Sequence, residues 1–295
     1  MTAPYERIHL ILNPAAGSRR RTQEMLSAIF DQHMARWEMS VTAGPGDGKR
    51  LAQEAVAAGA DLIAVCGGDG TVADVAGGLA GSSVPLAILP GGTANILAVE
   101  LGIPRTLSEA AELIFRPNCA PRSLDMGQIG DRYFLVRASA GFEAAVIEKT
   151  GQPLKNRFGP FGYGVGAIWA LRPRLAAHFR LTLDGRVVEA AGLNVFIANA
   201  GHIGLLGLVL SPCIRPDDGL LDVILLEAAP RSLVALAASA VRLDKGAGSL
   251  RHWQVRGVTV EADPPQSVHG DGDMAGRTPI TVGVLPGAVR VLVPG

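Results

Sequence analysis

The stretch DLIAVCGGDGTVADVAGG, Asp61–Gly78, is the key to the architecture. An apolar run of strand type leads into Gly67, Gly68 and Gly70, and an alanine-rich segment with helical spacing follows. A strand that feeds a glycine turn into a helix is the repeating unit of a parallel α/β sheet. It also presents backbone N–H groups to an anion at the helix start. Asp69 at the tip of that turn is the difficulty, because a carboxylate repels a bare phosphate.

The same rhythm fills the first 120 residues. Strand segments are expected at Arg7–Asn13, Trp37–Thr42, Asp61–Cys66 and Pro85–Pro90, with amphipathic helical segments between them over 21–35, 49–59 and 72–81. Gly59 closes the second helical segment as a C-terminal cap, and Thr106 with Glu109 forms a capping box ahead of a further helix. After about Pro121 the pattern changes to short alternating strands. Turns are expected at Gly130-Asp131 and Asp184-Gly185, and PITVGVL and AVRVLVP read as two further strands. Helices are expected around Gly162–Ala177 and Ser232–Leu243. The division is therefore an α/β domain with a parallel sheet over 1–121 and an antiparallel β-rich domain over 122–295.

Composition narrows the function. Apolar residues make up 48% and charged residues 18%, enough for buried cores and too little charge for a disordered tail. Lys+Arg and Asp+Glu are equal at 27, which argues against a nucleic-acid partner. Cys66, Cys119 and Cys213 form no CxxC pair, so neither a disulfide framework nor a zinc site is signalled and a cytoplasmic setting is expected. The N-terminus lacks the pattern of a signal peptide. The uncharged run Gly192–Leu210 contains Asn194, Asn199 and His202, and is expected to be a strand, a loop and a second apolar segment rather than a membrane span.

Two common nucleotide fingerprints fail. Gly68, Gly70 and Ala73 match the dinucleotide spacing, but Pro90-Gly91-Gly92 stands where an acid should hold a ribose. The Gly48-Lys49 pair is followed by Arg50 rather than Ser or Thr, so there is no P-loop. The remainder is Gly67, Gly68, Asp69, Gly70 and Thr71: glycines that turn N–H groups toward a ligand, a hydroxyl at the helix head, and an acid suited to a metal or a hydroxyl proton. The alternative for Asp69 is a hydrogen bond to its own turn. NPAAGSRR (13–20) and PGGTAN (90–95) also follow strands of the same sheet, so the three loops are expected to converge on one crevice.

NPAAG, CGGDGTVADV and LPGGTANILA, in that order and spacing, resemble the diacylglycerol kinase catalytic-domain family, in particular the bacterial lipid kinases related to sphingosine and ceramide kinases. The resemblance continues through SPCIRPDDGLLDVILL, VHGDGD and LPGAVRVLVP. It implies an NAD kinase/diacylglycerol kinase-like first domain, a β-sandwich-like second domain, and ATP with Mg2+ as cofactors. Asn13, Pro14, Ala15, Ala16, Gly17, Thr42, Gly67, Gly68, Asp69, Gly70, Thr71, Val72, Ala73 and Thr93 would line the ATP site. The four lysines, Lys49, Lys149, Lys155 and Lys245, lie outside all three loops, so backbone amides and hydroxyls would hold the phosphates. Arg19, Arg20 and Arg21 could add charge or form a solvated helix face.

In RPDDGLLD the family pattern implies magnesium on the Asp218 carboxylate and the carbonyls of Arg215 and Leu220, oxygen ligands suited to that cation. HGDGD stands where the family reads Asp-Gly-Glu, whose last acid accepts the proton; here that residue is Asp273, one methylene shorter, with Asp271 and Asp69 as alternatives. His269 is a weaker candidate, expected near the surface or behind the site. Phe158–Leu175 and GHIGLLGLVL are candidates for an acceptor channel. The resemblance thus implies phosphoryl transfer from ATP to a lipid hydroxyl, diacylglycerol first, by a cytoplasmic protein that meets the inner face of the membrane transiently and could form a homodimer. A kinase acting on NAD and a catalytically silent nucleotide-binding protein are the rivals.

Overall fold

The computed structural model describes residues 5–16, 19–141, 176–203, 208–227 and 251–295. The chain divides into two compact units, Met1–Leu124 with Gly287–Gly295, and Asp125–Pro286.

The first unit runs β1 (Arg7–Leu12), α1 (Arg19–Gln32), β2 (Arg36–Val41), α2 (Asp47–Ala57), β3 (Leu62–Gly67), α3 (Asp69–Gly78), β4 (Leu86–Pro90), α4 (Ile96–Glu100) and α5 (Leu107–Leu113). The strands form a parallel sheet in the order β4-β3-β1-β2. Every residue of β3 and β4 is buried, as expected of parallel strands covered on both faces. Each of the four expected strands is present, with ends shifted by at most one residue. Gly59 has φ +89 just beyond α2, a conformation that suits glycine. Thr106 caps α5 by accepting the Glu109 amide at 3.4 Å and donating to its carboxylate at 2.5 Å. Sequence reasoning missed α4, because five residues are too few to display a period.

The second unit is built from antiparallel pairs. Its strands are β5 (Ala120–Ile129, which enters from the first unit), β6 (Arg132–Phe134), β7 (Arg137–Gly141), β8 (Ala177–Leu183), β9 (Arg186–Ala198), β10 (His202–Ile203), β11 (Leu208–Val209), β12 (Leu221–Glu227), β13 (Arg251–Val255), β14 (Gly257–Asp263), β15 (Ser267–Gly270), β16 (Asp273–Arg277) and β17 (Ile280–Val293). Strand β12 shows the layering: Leu221, Val223 and Leu225 enter one apolar cluster, while Ile224 and Leu226 enter another, so both faces are covered. The expected turn at Asp184-Gly185 joins β8 to β9, with φ +45 and +89 at its two residues, the mirror-image turn that suits a two-residue hairpin.

The two strands expected at the C-terminus are one. Strand β17 passes through Pro286-Gly287 without ending, pairs with β14 from Ile280 to Gly283, and reaches β4 through Val291 and Leu86. This is why Gly287–Gly295 clusters with the first unit. The expected helices over Gly162–Ala177 and Ser232–Leu243 lie outside the described residues, except for Ala176 and Ala177, and Ala177 begins β8. The uncharged run ends β9 and supplies the β10–β11 pair. Among the described residues no helix is long and apolar enough to cross a membrane.

Candidate active site

The three glycine loops of the first unit meet at the carboxyl ends of β1, β3 and β4. The Asn13 side-chain amide donates to the Thr71 hydroxyl at 2.7 Å, and the Asn13 side-chain oxygen accepts the Ala15 amide at 2.9 Å. The Gly91 amide donates to the Gly67 carbonyl at 2.9 Å. A Cβ on Gly92 would stand 2.5 Å from the Gly68 Cα, and one on Gly91 would stand 2.6 Å from the Ala16 Cβ. The loops therefore touch at distances only glycine permits, and the expected convergence is present. Pro14 and Ala15 are exposed, Thr93 is exposed in the third loop, and Thr42 is buried just beyond β2. Val72 and Ala73 are buried in the core, and the Val72 amide already donates to the Gly68 carbonyl at 3.0 Å. Gly17 lies outside the described residues. Lys49, the one lysine among the described residues, is in α2, and Arg20 is solvated and paired with Glu24 at 2.8 Å.

Asp69 has a partner that neither sequence alternative named. Its carboxylate accepts the Leu97 amide at 3.1 Å, in the first turn of α4. The residue that should cap this helix, Asn95, sits at φ +47 and uses its side chain to clasp Gly92, accepting from its amide and donating to its carbonyl, each at 2.9 Å. Asp69 thus supplies the α4 cap from another loop, satisfying an amide that has no partner within its own helix.

In the second unit Asp218 lies exposed in a turn and accepts the Leu220 amide at 3.0 Å. The buried Asp125 braces that turn: its amide donates to the Pro216 carbonyl at 2.7 Å and its carboxylate accepts the Gly219 amide at 2.6 Å. Partial burial pushes the Asp218 carboxyl up, the Leu220 amide opposes this, and the charges of Asp222, Asp125 and Asp217 add to the rise. This turn offers oxygen ligands and negative charge of the kind a hard divalent cation takes, and Asp218 with the Arg215 and Leu220 carbonyls are the groups that could hold one. Among the described residues no three His, Cys, Asp or Glu side chains gather to hold a metal, so such a site would rely on carbonyls. Asp222 is fully buried; one oxygen meets His252 Nε2 at 2.5 Å, and the other has no hydrogen-bond partner among the described residues.

Asp271 and Asp273 differ in their surroundings. The Asp271 carboxylate accepts the amides of Leu135 at 2.7 Å, Val136 at 3.0 Å and Arg137 at 2.9 Å, spanning the break between β6 and β7, and its own amide returns to the Arg137 carbonyl at 2.9 Å. Asp273 is exposed at the start of β16, where it pairs with Gly270. His269 is 6% exposed within β15, so it belongs to the interior rather than the surface. Sequence reasoning passed over Asp125 and Asp222; the one signal available was an isolated acid inside an otherwise apolar strand segment.

Converging glycine loops on a parallel sheet, followed by a β-rich unit with an acidic turn, define the diacylglycerol kinase class. Residues 7–129 match the diacylglycerol kinase catalytic domain, and residues 136–293 match the YegS C-terminal NAD kinase beta sandwich-like domain. The "Probable lipid kinase YegS-like" of Pseudomonas aeruginosa is 34% identical over 294 residues, covering 98% of this chain and 95% of its own. That of Pseudomonas syringae pv. syringae is 32% identical, covering 94% and 91%. Two crystal structures from Bacillus anthracis str. Sterne are similar along 98% of the chain. One has TM-score 0.81 and 27% identity over 95% of its own length; the other, described as a diacylglycerol kinase, has 0.73 and 25% over 97%. The chain belongs to the YegS-like lipid kinase family. Family and fold class are those the sequence motifs implied.

Proposed function

We propose that this protein is an ATP-dependent lipid kinase that transfers the γ-phosphoryl group to the hydroxyl of a diacylglycerol-like lipid. The observation that carries the reading is the convergence of three glycine loops without a lysine, in a chain whose relatives are named lipid kinases. The loops Asn13–Gly17 and Gly67–Ala73 shape the nucleotide crevice, and the first-turn amides of α3, from Asp69 to Thr71, with the hydroxyls of Thr42 and Thr93, hold the nucleotide. The Asn13–Thr71 bond fixes the first loop against the second, and Asp69 fixes the third through α4. Asp218 and the carbonyls of Arg215 and Leu220 would hold magnesium, which would supply positive charge to offset that on the transferred group.

Asp273 accepts the proton of the acceptor hydroxyl. It has the exposure this requires, whereas Asp271 is occupied with backbone amides. The lipid acceptor brings the protein into transient contact with the cytoplasmic face of a membrane. Incubating the purified chain with labelled ATP, magnesium and a panel of lipid alcohols alongside NAD tests the reading. Label in diacylglycerol is expected. Labelled NAD with unlabelled lipid would overturn the acceptor class, and ATP binding with no transfer to any acceptor would favour a regulatory protein. In an active preparation, Asp273→Asn should lower kcat by about 100-fold or more while ATP affinity stays unchanged.

A further inference from the structure

A cavity of about 280 Å3 opens at the amino ends of β1 and β2, lined by Arg7, His9, Arg36, Trp37, Glu38 and Ala58 among others. Strand β1 begins at Arg7 and delivers the chain to the first glycine loop only after Leu12. At about 3.3 Å per residue, this places the cavity roughly 20 Å from the loops, at the other end of the strand. It is therefore not part of the nucleotide crevice.

The parallel register sets Arg7 beside Arg36 and His9 beside Glu38, and alternation along each strand puts all four on one face. Like charges directly opposite on neighbouring strands repel. Among the described residues neither guanidinium has a hydrogen-bond or ion-pair partner. Asp61 is close in the fold but uses its two oxygens on the amides of Glu6 at 2.6 Å and Arg7 at 2.9 Å. Burial pushes the His9 imidazole down against the pull of Glu38, and its Nε2 meets the Ser40 hydroxyl at 2.9 Å. Two arginines consequently face one glutamate.

The walls also accommodate the arginines. Gly59 closes α2 at φ +89, and a Cβ there would stand 2.8 Å from Arg7 Nη1, so the glycine lets that guanidinium lie against the end of the helix. The Trp37 indole N–H is engaged by Asp31 at 3.2 Å, which leaves the ring as an apolar wall.

We propose that this cavity is a second anion site, distinct from the glycine loops, that takes a phosphate monoester. Such a group carries nearly two negative charges and three acceptor oxygens at neutral pH, and two guanidinium forks match it in charge and geometry. The volume admits a phosphate with a glycerol-sized substituent and falls short of the space that larger ligands occupy. The same chemistry is offered by a soluble phosphate monoester and by the headgroup of phosphatidic acid. The proposal rests on the arginine pair and does not depend on the kinase reading.

The test uses the full chain with a saturating, non-hydrolysable ATP analogue present, so that the glycine loops are filled. Calorimetric titration with glycerol 3-phosphate and sedimentation with vesicles of phosphatidylcholine, with and without phosphatidic acid, distinguish the two sources. Saturable binding in at least one arm is expected. Arg36→Gln and Arg7→Gln should each weaken it about tenfold, and the pair should abolish it, without lowering ATP-analogue affinity. Thermal unfolding of each variant establishes that it is folded, and Arg36→Lys, which keeps the charge, should retain part of the binding. No binding in either arm overturns the proposal. So does binding that the ATP analogue displaces, or binding indifferent to the double substitution.

Discussion

The tripeptide Gly-Asp-Gly occurs at 46–48, 68–70 and 270–272, and the second and third copies make the sharpest contrast. In the second, Asp69 is the first residue of α3, and its carboxylate reaches across to the Leu97 amide of α4. In the third, Asp271 sits at φ +47 in a turn between strands, and its carboxylate gathers three amides from the β6–β7 break. The 46–48 copy sides with the second, because Asp47 also opens a helix and accepts a nearby amide, that of Ala43 at 2.9 Å. The residues downstream of each copy decide the outcome. Residues 71–76 continue as the helix α3, whereas residues 273–277 pair as a strand with Ser267–Gly270. The shared lesson is that each aspartate ties down backbone that its own element cannot satisfy.

Asp271→Ala should strike hardest, because it removes three charge-assisted bonds and puts alanine in the left-handed region. A loss of about 3 kcal/mol of unfolding free energy is expected, and about half that for Asp271→Asn, read from denaturant midpoints. An unchanged midpoint for the alanine variant would remove its role as an anchor. Next comes Gly92→Ala, whose new carbon meets the Gly68 backbone, at a cost of about 2 kcal/mol and most nucleotide binding. Gly68→Ala is its control: with φ −88 and a nearest contact of 3.4 Å, it should cost under about 0.5 kcal/mol. Similar losses for both would mean that the loops are not packed as described.

A smaller effect is expected at Asp69. Removing the cap with Asp69→Ala should cost about 1 kcal/mol and weaken binding of an ATP analogue severalfold, while Asp69→Asn keeps an acceptor oxygen and recovers most of both. If asparagine binds the analogue as poorly as alanine, the charge rather than the cap is what matters, and the ligand role returns. The least effect concerns Cys66, which leads into the same loop. Burial pushes its thiol up to about 12, so iodoacetamide at about pH 8 should leave it unmodified while exposed Cys213 is labelled, as peptide mass spectrometry will show. Label on Cys66 in folded protein would reveal that the loop opens.

The sheet of the first unit was readable because its signals are local: apolar runs, glycine turns and a capping box all lie within a few residues of the structure they specify. The three converging loops were readable for the same reason, each being the residue string that comes after a strand. The braces were not. Asp271 finds its amides more than 130 residues away, and Asp222 meets His252 across a strand pair. In sequence each is an acid in unremarkable surroundings. Strand β17 misled in the opposite way, because Pro286-Gly287 carries a turn signal that neighbouring strands override.

That strand bears on how the protein is made. Val291 joins Leu86 to add the C-terminal segment to the first unit, so the sheet begun by the earliest residues is finished by the last ones. On a ribosome all of Asp125–Pro286 must be synthesised in between, roughly 10 to 30 s at ordinary elongation rates. Throughout that interval the outer edge of β4 is an unprotected strand, open to pairing with another chain. Expression yield in the absence of chaperones should be limited by that wait.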